Sequence, residues 1–270
     1  MTNQVSVFIM DISNSSVEDI GEELSEYLQH LEEKIASWTK GITTTKAIHR
    51  SGDEIVVISS GYATAYTLAF YISRIWKFND HKPYFGLSFG DIQHDVSELN
   101  LETWIHPLMK HARNANDILQ QQGQNRTQFN FELSDSSNEV SQEGYQLFSS
   151  QFEILLNAIL RLQQNQVIEQ TDIQSLVSSL YLILNQQKKV SDYIGRSAPT
   201  VSSHMKKGKN DVIISAFNDI VTVLNSLHPT SEFEFDTDTE TKPQVINHQL
   251  QNNIKMIVSN HLHDYFQIYS

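Results

Sequence analysis

Hydrophobic residues fall along this chain in two periods, and the period changes near the middle. Residues 4–11, Gln-Val-Ser-Val-Phe-Ile-Met-Asp, make a short apolar run of strand length that ends in an acid. Ser13 to Ser16 read as a turn and helix cap. Ile20, Leu24, Leu28, Leu31 and Ile35 then recur every three or four residues through Val17 to Trp38, the spacing of one helix face. Thr43 to His49 is β-branched and extended, Ser51-Gly52-Asp53 is a tight turn, and Glu54 to Ser59 is apolar again, which together predict a hairpin. Gly61 opens a predicted helix through Phe78, stopped by Lys82-Pro83. Tyr84 to Ile92 reads as a strand punctuated by Gly86 and Gly90, Leu108 to Gln122 as a helix, and Thr127 to Leu133 as a last strand. The order β-α-β-β-α-β-α-β predicts an α+β domain of the ferredoxin-like type over residues 1–134.

Beyond it the pattern turns helical. Residues 135–143 are polar without apolar period and read as a linker. Residues 144–229 predict an all-helical C-terminal domain. Its first helix carries Leu147, Phe148, Phe152, Leu155, Ile159 and Leu162, and further helices start near Ile173, Lys188, Pro199 and Val212. Residues 230–243, acidic and flanked by Pro229 and Pro243, read as a tether, with a short edge strand as the other reading. Residues 244–270 close the chain with Ile246, Leu250, Ile254, Ile257, Leu262 and Phe266, a near-heptad stripe that suits a packing helix or a dimerisation helix.

Composition narrows the chemistry. The 270 residues contain no cysteine, which excludes disulfides, a thiol nucleophile and Cys-ligated metals. No apolar run approaches the ~20 residues of a membrane span, and residues 1–11 lack the basic start of a signal peptide. A cytoplasmic protein is the expectation. The net charge is −13, yet residues 186–210 carry Lys188, Lys189, Arg196, Lys206, Lys207 and Lys209 against Asp192 alone, a local +5 that leaves −18 for the rest. An acidic body with one basic module is the electrostatic footprint of a DNA-binding protein.

The same window has the pattern of a helix-turn-helix. Val190 and Ile194 sit four apart, Gly195 suits a left-handed turn, Ser197 suits a helix cap and Pro199 its first turn, and Val201 and Met205 again sit four apart. Arg196, Ser197, Thr200, Ser202, Ser203, His204, Lys206 and Lys207, with Lys188 and Lys189 on the preceding helix, are the candidate contacts to double-stranded DNA. The spacing resembles that of bacterial helix-turn-helix regulators over about twenty residues. An ordinary helical hairpin is the competing reading, but it gives no reason for the charge.

In the first half, Asp11 ends the first strand and Asp53 sits in the hairpin turn beside Glu54. In a ferredoxin-like sheet these positions are neighbours. Facing carboxylates repel unless a cation lies between them, and hard oxygens suit Mg²⁺. The eleven histidines show no metal spacing, and there is no Ser/His/Asp set, GxGxxG or Walker loop.

The succession Phe8-Ile-Met-Asp11-Ile-Ser13, Arg50-Ser-Gly52-Asp53-Glu54 and Phe85-Gly86-Leu-Ser-Phe-Gly90-Asp-Ile92 resembles the palm domain of class III nucleotidyl cyclases and GGDEF diguanylate cyclases. A palm followed by a helix-turn-helix resembles the SatD family of bacterial proteins. The resemblance implies metal at Asp11 and Asp53 with Glu54 nearby, and a nucleotide near Ser13, Ser15, Gly52 and Arg113. It also shows departures: Ser51 and Ile55 break the GGDEF signature, His49 stands where cyclases place a base-reading Lys, and Met109 stands where they place an Asn. Losing one preorganised donor commonly costs about 10²–10³ in rate.

The sequence therefore points first to a DNA-binding transcriptional regulator, expected as a homodimer, whose palm-like domain senses a nucleotide (with Mg²⁺) or a regulatory protein. The alternative is a divergent metal-dependent nucleotidyl cyclase or nucleotidyltransferase with an ancillary helix-turn-helix, and a third is a scaffold whose palm serves dimerisation.

Overall fold

The structure is a computed structural model describing residues 2–13, 21–50, 52–123, 126–133, 148–227 and 242–266. It is α+β, with a five-stranded mixed sheet and many helices. The proposed linker at 135–143 and most of the acidic tether lie outside the described residues, as do Ser15 and the first turn assigned to the first helix.

Strand β1 (Asn3–Ile12) is central. It pairs antiparallel with β3 (Glu54–Ser60) on one side and with β4 (Pro83–Ile92) on the other. Strand β2 (Thr45–Arg50) pairs antiparallel with β3, and β5 (Phe129–Phe131) lies parallel to β4, giving the order β2-β3-β1-β4-β5. The predicted strands are all present. β5 is shorter than the alternation in 127–133 suggests, and a helix side chain extends its edge. Asn157 accepts from the Phe131 amide at 2.8 Å and donates to the Phe131 carbonyl at 2.8 Å, so it bonds as another strand would.

Side chains alternate across β1 as the strand period requires. Phe8, Met10 and Ile12 enter the larger core with helix α1 (Gly21–Thr39) and helix α2 (Thr64–Arg74). Val5, Val7 and Ile9 enter a second core with Leu99, Leu101, Leu108 and Ala112, the last two on α3 (Pro107–Gln121). The helix predicted from Gly61 to Phe78 is confined to Thr64–Arg74. Gly61 has φ +89°, and beyond Ile75 the chain runs into an aromatic knot where Tyr27, Trp76 and Phe78 meet edge to face at 4.9–5.8 Å.

The later helices are α4 (Ser149–Ile168), α5 (Asp172–Leu184), α6 (Gln187–Ile194), α7 (Ala198–Lys207), α8 (Asn210–Ser226), α9 (Lys242–Ser259) and α10 (Leu262–Tyr265). Their apolar faces join the same core as α1 and α2. Phe217 of α8 stacks on Phe70 of α2 at 4.2 Å, and Asn247 of α9 donates to Thr67 at 2.9 Å. α2 is thus buried from both sides, against the sheet and against the later helices, which explains why nearly every residue in it is buried. Truncating Phe217 to Ala removes the ring that joins them. The expected loss is about 3–5 kcal/mol in chemical denaturation.

The near-heptad stripe at the C-terminus is turned inward. Leu250 and Ile254 are fully buried, Ile257 and Leu262 pack against the core, and Phe266 is 6% exposed. Of the two roles open to that stripe, packing is the one these contacts display. Lys242 and Pro243, assigned to the tether, already belong to α9. Among the described residues no helix is long and apolar enough to cross a membrane.

Candidate functional site

Two places gather chemistry. The first is at the end of β1 beside the β2–β3 turn. The register Met10↔Ile55 brings Asp11 level with Glu54, just as the hairpin presents Asp53. Asp11 has the parity of Val7 and Ile9, so its side chain is on the α3 face. There Asn116 donates from Nδ2 to Asp11 Oδ2 at 3.1 Å. Burial, the charge of Asp53 and that of Glu54, in that order, push the Asp11 carboxyl up from 3.8 to about 7. Asp53 is also in hydrogen-bonding contact with it.

Glu54 behaves differently. Arg113 of α3 binds it through both nitrogens, at 2.7 and 3.0 Å, and Arg50 adds a contact at 3.4 Å. Both oxygens are held by guanidinium, so Glu54 fixes α3 to the hairpin. Arg113, read as a nucleotide contact, is the other half of that lock. His49 uses Nε2 on the carbonyl of Gly52 at 3.1 Å, inside the hairpin itself. Ser13 hydrogen-bonds the Lys82 carbonyl through Oγ at 2.7 Å and through its amide at 3.1 Å, which ties the end of β1 to the approach to β4.

The structure adds residues the sequence did not single out. Asn116 is 2% exposed, and its Oδ1 has no hydrogen-bond partner. Asp11, Asp53, Asp117 and Arg126 all lie close enough to act on the Tyr84 hydroxyl: burial first and then the three carboxylates push it up to about 12, against the opposing pull of Arg126. The Arg126 guanidinium lies 4.0 Å from the Tyr84 ring centre. The available signal was the i, i+3, i+4 spacing of Arg113, Asn116 and Asp117, which puts all three on one helix face.

What lets α3 approach so closely is Gly86. A Cβ there would lie 2.1 Å from the Ala112 carbonyl oxygen and 2.3 Å from the Asn116 amide nitrogen. The pair Asp11 and Asp53, with the orphaned Asn116 amide oxygen, is a hard oxygen set of the kind that suits Mg²⁺. Among the described residues no group of three or more His, Cys, Asp or Glu is arranged to hold a metal, so a cation here would rest on two carboxylates and outside oxygens, water or phosphate.

The second place is the α6–α7 pair. Gly195 ends α6 at φ +63°, ψ +32°, a left-handed turn that other residues adopt at a cost. Ser197 caps α7, accepting from the Thr200 amide at 3.4 Å and bonding its hydroxyl at 2.8 Å, and Pro199 occupies the first turn. Val190 and Val201 are fully buried, Ile194 is nearly so, and α6, α7 and α5 pack together. The outward side is left to Lys188, Lys189, Arg196, Ser202, Ser203, Lys206 and Lys207, all exposed. No acid lies on α7. None of these five cations has an acidic partner among the described residues.

Comparisons with protein-family models, curated proteins and solved structures found no match.

Three residues of the α6–α7 set are engaged within the chain or turned inward. Ser197 is occupied as a cap, Thr200 is half-buried against it, and His204 turns Nδ1 inward, where that atom has no partner. Lys209, counted in the basic window, is ion-paired with Glu169 at 2.8 Å.

Proposed function

We propose that this chain is a DNA-binding transcriptional regulator, with α6 and α7 as its helix-turn-helix and α7 as the helix that enters the major groove. The observation that carries this reading is the exposed basic face of Arg196, Lys206 and Lys207, without an acidic partner among the described residues, on a capped helix in a chain of charge −13. An intramolecular hairpin would gain nothing from five such cations, whereas phosphate neutralisation requires them. Ser202 and Ser203, between them on the exposed side, are suited to base edges or phosphate oxygens. The same reading puts the chain where DNA is, in the cytoplasm, and favours a dimer reading a two-fold site. Lys207→Ala is expected to weaken binding about equally on all duplexes and to lower the log–log salt slope by about 0.9, measured by fluorescence anisotropy.

We read the sheet with its α1, α2 and α3 helices as a ferredoxin-like palm of the cyclase type. Its support is the order β2-β3-β1-β4, with β1 antiparallel to both neighbours and two helices on one face. The acid pair supports a sensory role: Asp11 and Asp53 would hold Mg²⁺ with a nucleotide, the cation offsetting the burial and the repulsion that together push the Asp11 carboxyl up to about 7. The same pair is what favours the second reading, a divergent nucleotidyl cyclase or nucleotidyltransferase. Thermal-shift titration with ATP, GTP and cyclic nucleotides separates the two. A Mg²⁺-dependent rise lost in Asp53→Ala, with no product formed, is the sensor result. A nucleotide product made by wild type and not by Asp53→Ala is the enzyme result.

A further inference from the structure

Helix α7 is anchored at one end and clasped at the other. Val201 is the side chain it buries, and it holds the first half. Lys206 and Lys207 sit in the last turn, where Met205 is only partly buried. What holds that turn is polar and comes from the corner between α4 and α5. Gln170 donates from Nε2 to the Gly208 carbonyl at 2.6 Å, and Glu169 accepts from Lys209 Nζ at 2.8 Å. Lys209 turns the chain at φ +51°, a left-handed conformation that a non-glycine residue keeps only where its surroundings impose it.

Behind Gln170 stands Arg74, in the last turn of α2. Its Nη2 donates to Gln170 Oε1 at 3.2 Å. Arg74 is 8% exposed and has no acidic partner among the described residues. The end of α2 offers it the negative pole of a helix dipole but no carboxylate. Burial pushes the guanidinium down from 12.5 to about 10. An apolar side chain of similar size would be easier to bury. What Arg74 supplies instead is a donor. A guanidinium can only donate and a backbone carbonyl can only accept. Between the two, the Gln170 amide has one orientation, oxygen to Arg74 and nitrogen to Gly208. The reverse sets donor against donor and oxygen against oxygen. Gly208 permits the approach, since a Cβ there would lie 3.1 Å from Gln170 Nε2.

We infer that Arg74 is a positioning residue for the DNA contact: through Gln170 it fixes the C-terminal turn of α7, and with it Lys206 and Lys207, from a helix packed on the sheet. The inference rests on the DNA-binding reading and adds that the helix-turn-helix is set from outside its own turn. Two other bonds from α2 to the later helices, Tyr66 to Gln163 and Thr67 to Asn247, end on α4 and α9 and touch neither α6 nor α7.

The test uses the full-length protein and three readings: melting temperature, anisotropy on a pool of random duplexes, and amide hydrogen exchange. Arg74→Met keeps the bulk and removes the donor. Its melting temperature should be unchanged or higher, because a buried charge without an acid is gone. Its affinity for duplex DNA should fall about tenfold, in the usual range of coupling between separate positions. The Gly208 and Lys209 amides, bonded to the carbonyls of His204 and Lys206, should exchange about tenfold faster while those of α5 stay as in wild type. Arg74→Lys can still donate and should keep most of the affinity. Thr67→Val cuts the bond from the same helix to α9 and should do the opposite, lowering the melting temperature and leaving affinity unchanged. A joint fall of melting temperature and affinity in Arg74→Met would mark a purely structural residue and overturn the inference, as would unchanged affinity or unchanged exchange at Gly208. Should Arg74→Met fail to fold, Gly208→Ala, which disturbs the same contact from the other side, decides by the same readings. If wild type binds no duplex, the DNA-binding reading is what fails, and exchange at Gly208 decides separately whether Arg74 holds the turn.

Discussion

Gly86→Ala should remove a large share of the stability of this protein. The new methyl would sit 2.1 Å from one backbone atom of α3 and 2.3 Å from another. Neither can swing aside as a side chain could, so α3 must lift from β4 as a body. That opens the second core, where Leu108 and Ala112 lie against Val7 and Ile9. Overpacking usually costs about 1–3 kcal/mol. Here the clash is with a helix backbone and a core follows it, so about 4 kcal/mol is expected, a large share of the 5–15 kcal/mol typical of a domain. Gly21→Ala is the control: a Cβ there meets nothing within 4 Å, and its stability should be unchanged or slightly raised. Urea denaturation of the two variants reads the difference. Because α3 also carries Asn116 and Arg113, any folded Gly86→Ala protein should have lost the Asn116 bond to Asp11.

The second large effect is on pH. Asp11 titrates at about 7 in the folded chain against 3.8 unfolded, so the folded state holds its proton more tightly. The stabilisation is fully present below pH 3.8 and is lost as the pH rises through about 7. A rise of that size is worth about 4 kcal/mol at full strength. Water reaches this half-buried carboxyl, and screening reduces the effect to about 2 kcal/mol. The groups that face it are Asp53 and Glu54 from the hairpin, Tyr84 from β4, and Asn116 and Arg113 from α3. Asp53 is the largest charged contributor. Asp53→Asn should therefore flatten the fall in melting temperature between about pH 4 and pH 7. Mg²⁺ should raise the wild-type melting point at pH 8.5 and have little effect on the variant. An unchanged pH profile in Asp53→Asn would show that burial alone sets Asp11.

Much of this arrangement is legible in the residues. Val5 to Met10, Glu54 to Ser59 and Tyr84 to Ile92 are apolar on both sides because helices cover both sheet faces, so their strand character survives without a partner in view. The α6–α7 boundary is fixed by Gly195, Ser197 and Pro199, each acting on its own backbone. What could not be read is what depends on distant packing. Glu54 looks like a ligand until α3 brings Arg113 to it. Asn116 looks like a surface amide until Gly86 lets it reach Asp11. The C-terminal stripe and the α4 stripe of Phe148, Leu155 and Leu162 have the same period, and only the folded chain separates the one that is buried from the one that is not.

The central claim is that α7 reads DNA, and the most direct measurement is the affinity of the full-length protein for duplex DNA against salt concentration, wild type beside Arg196→Ala/Lys206→Ala. The account predicts measurable wild-type binding at low salt with a steep log–log slope. In the double variant binding should be lost while the melting temperature is unchanged. Equal affinity for the two proteins, or no binding by either on a pool of random duplexes, would contradict it.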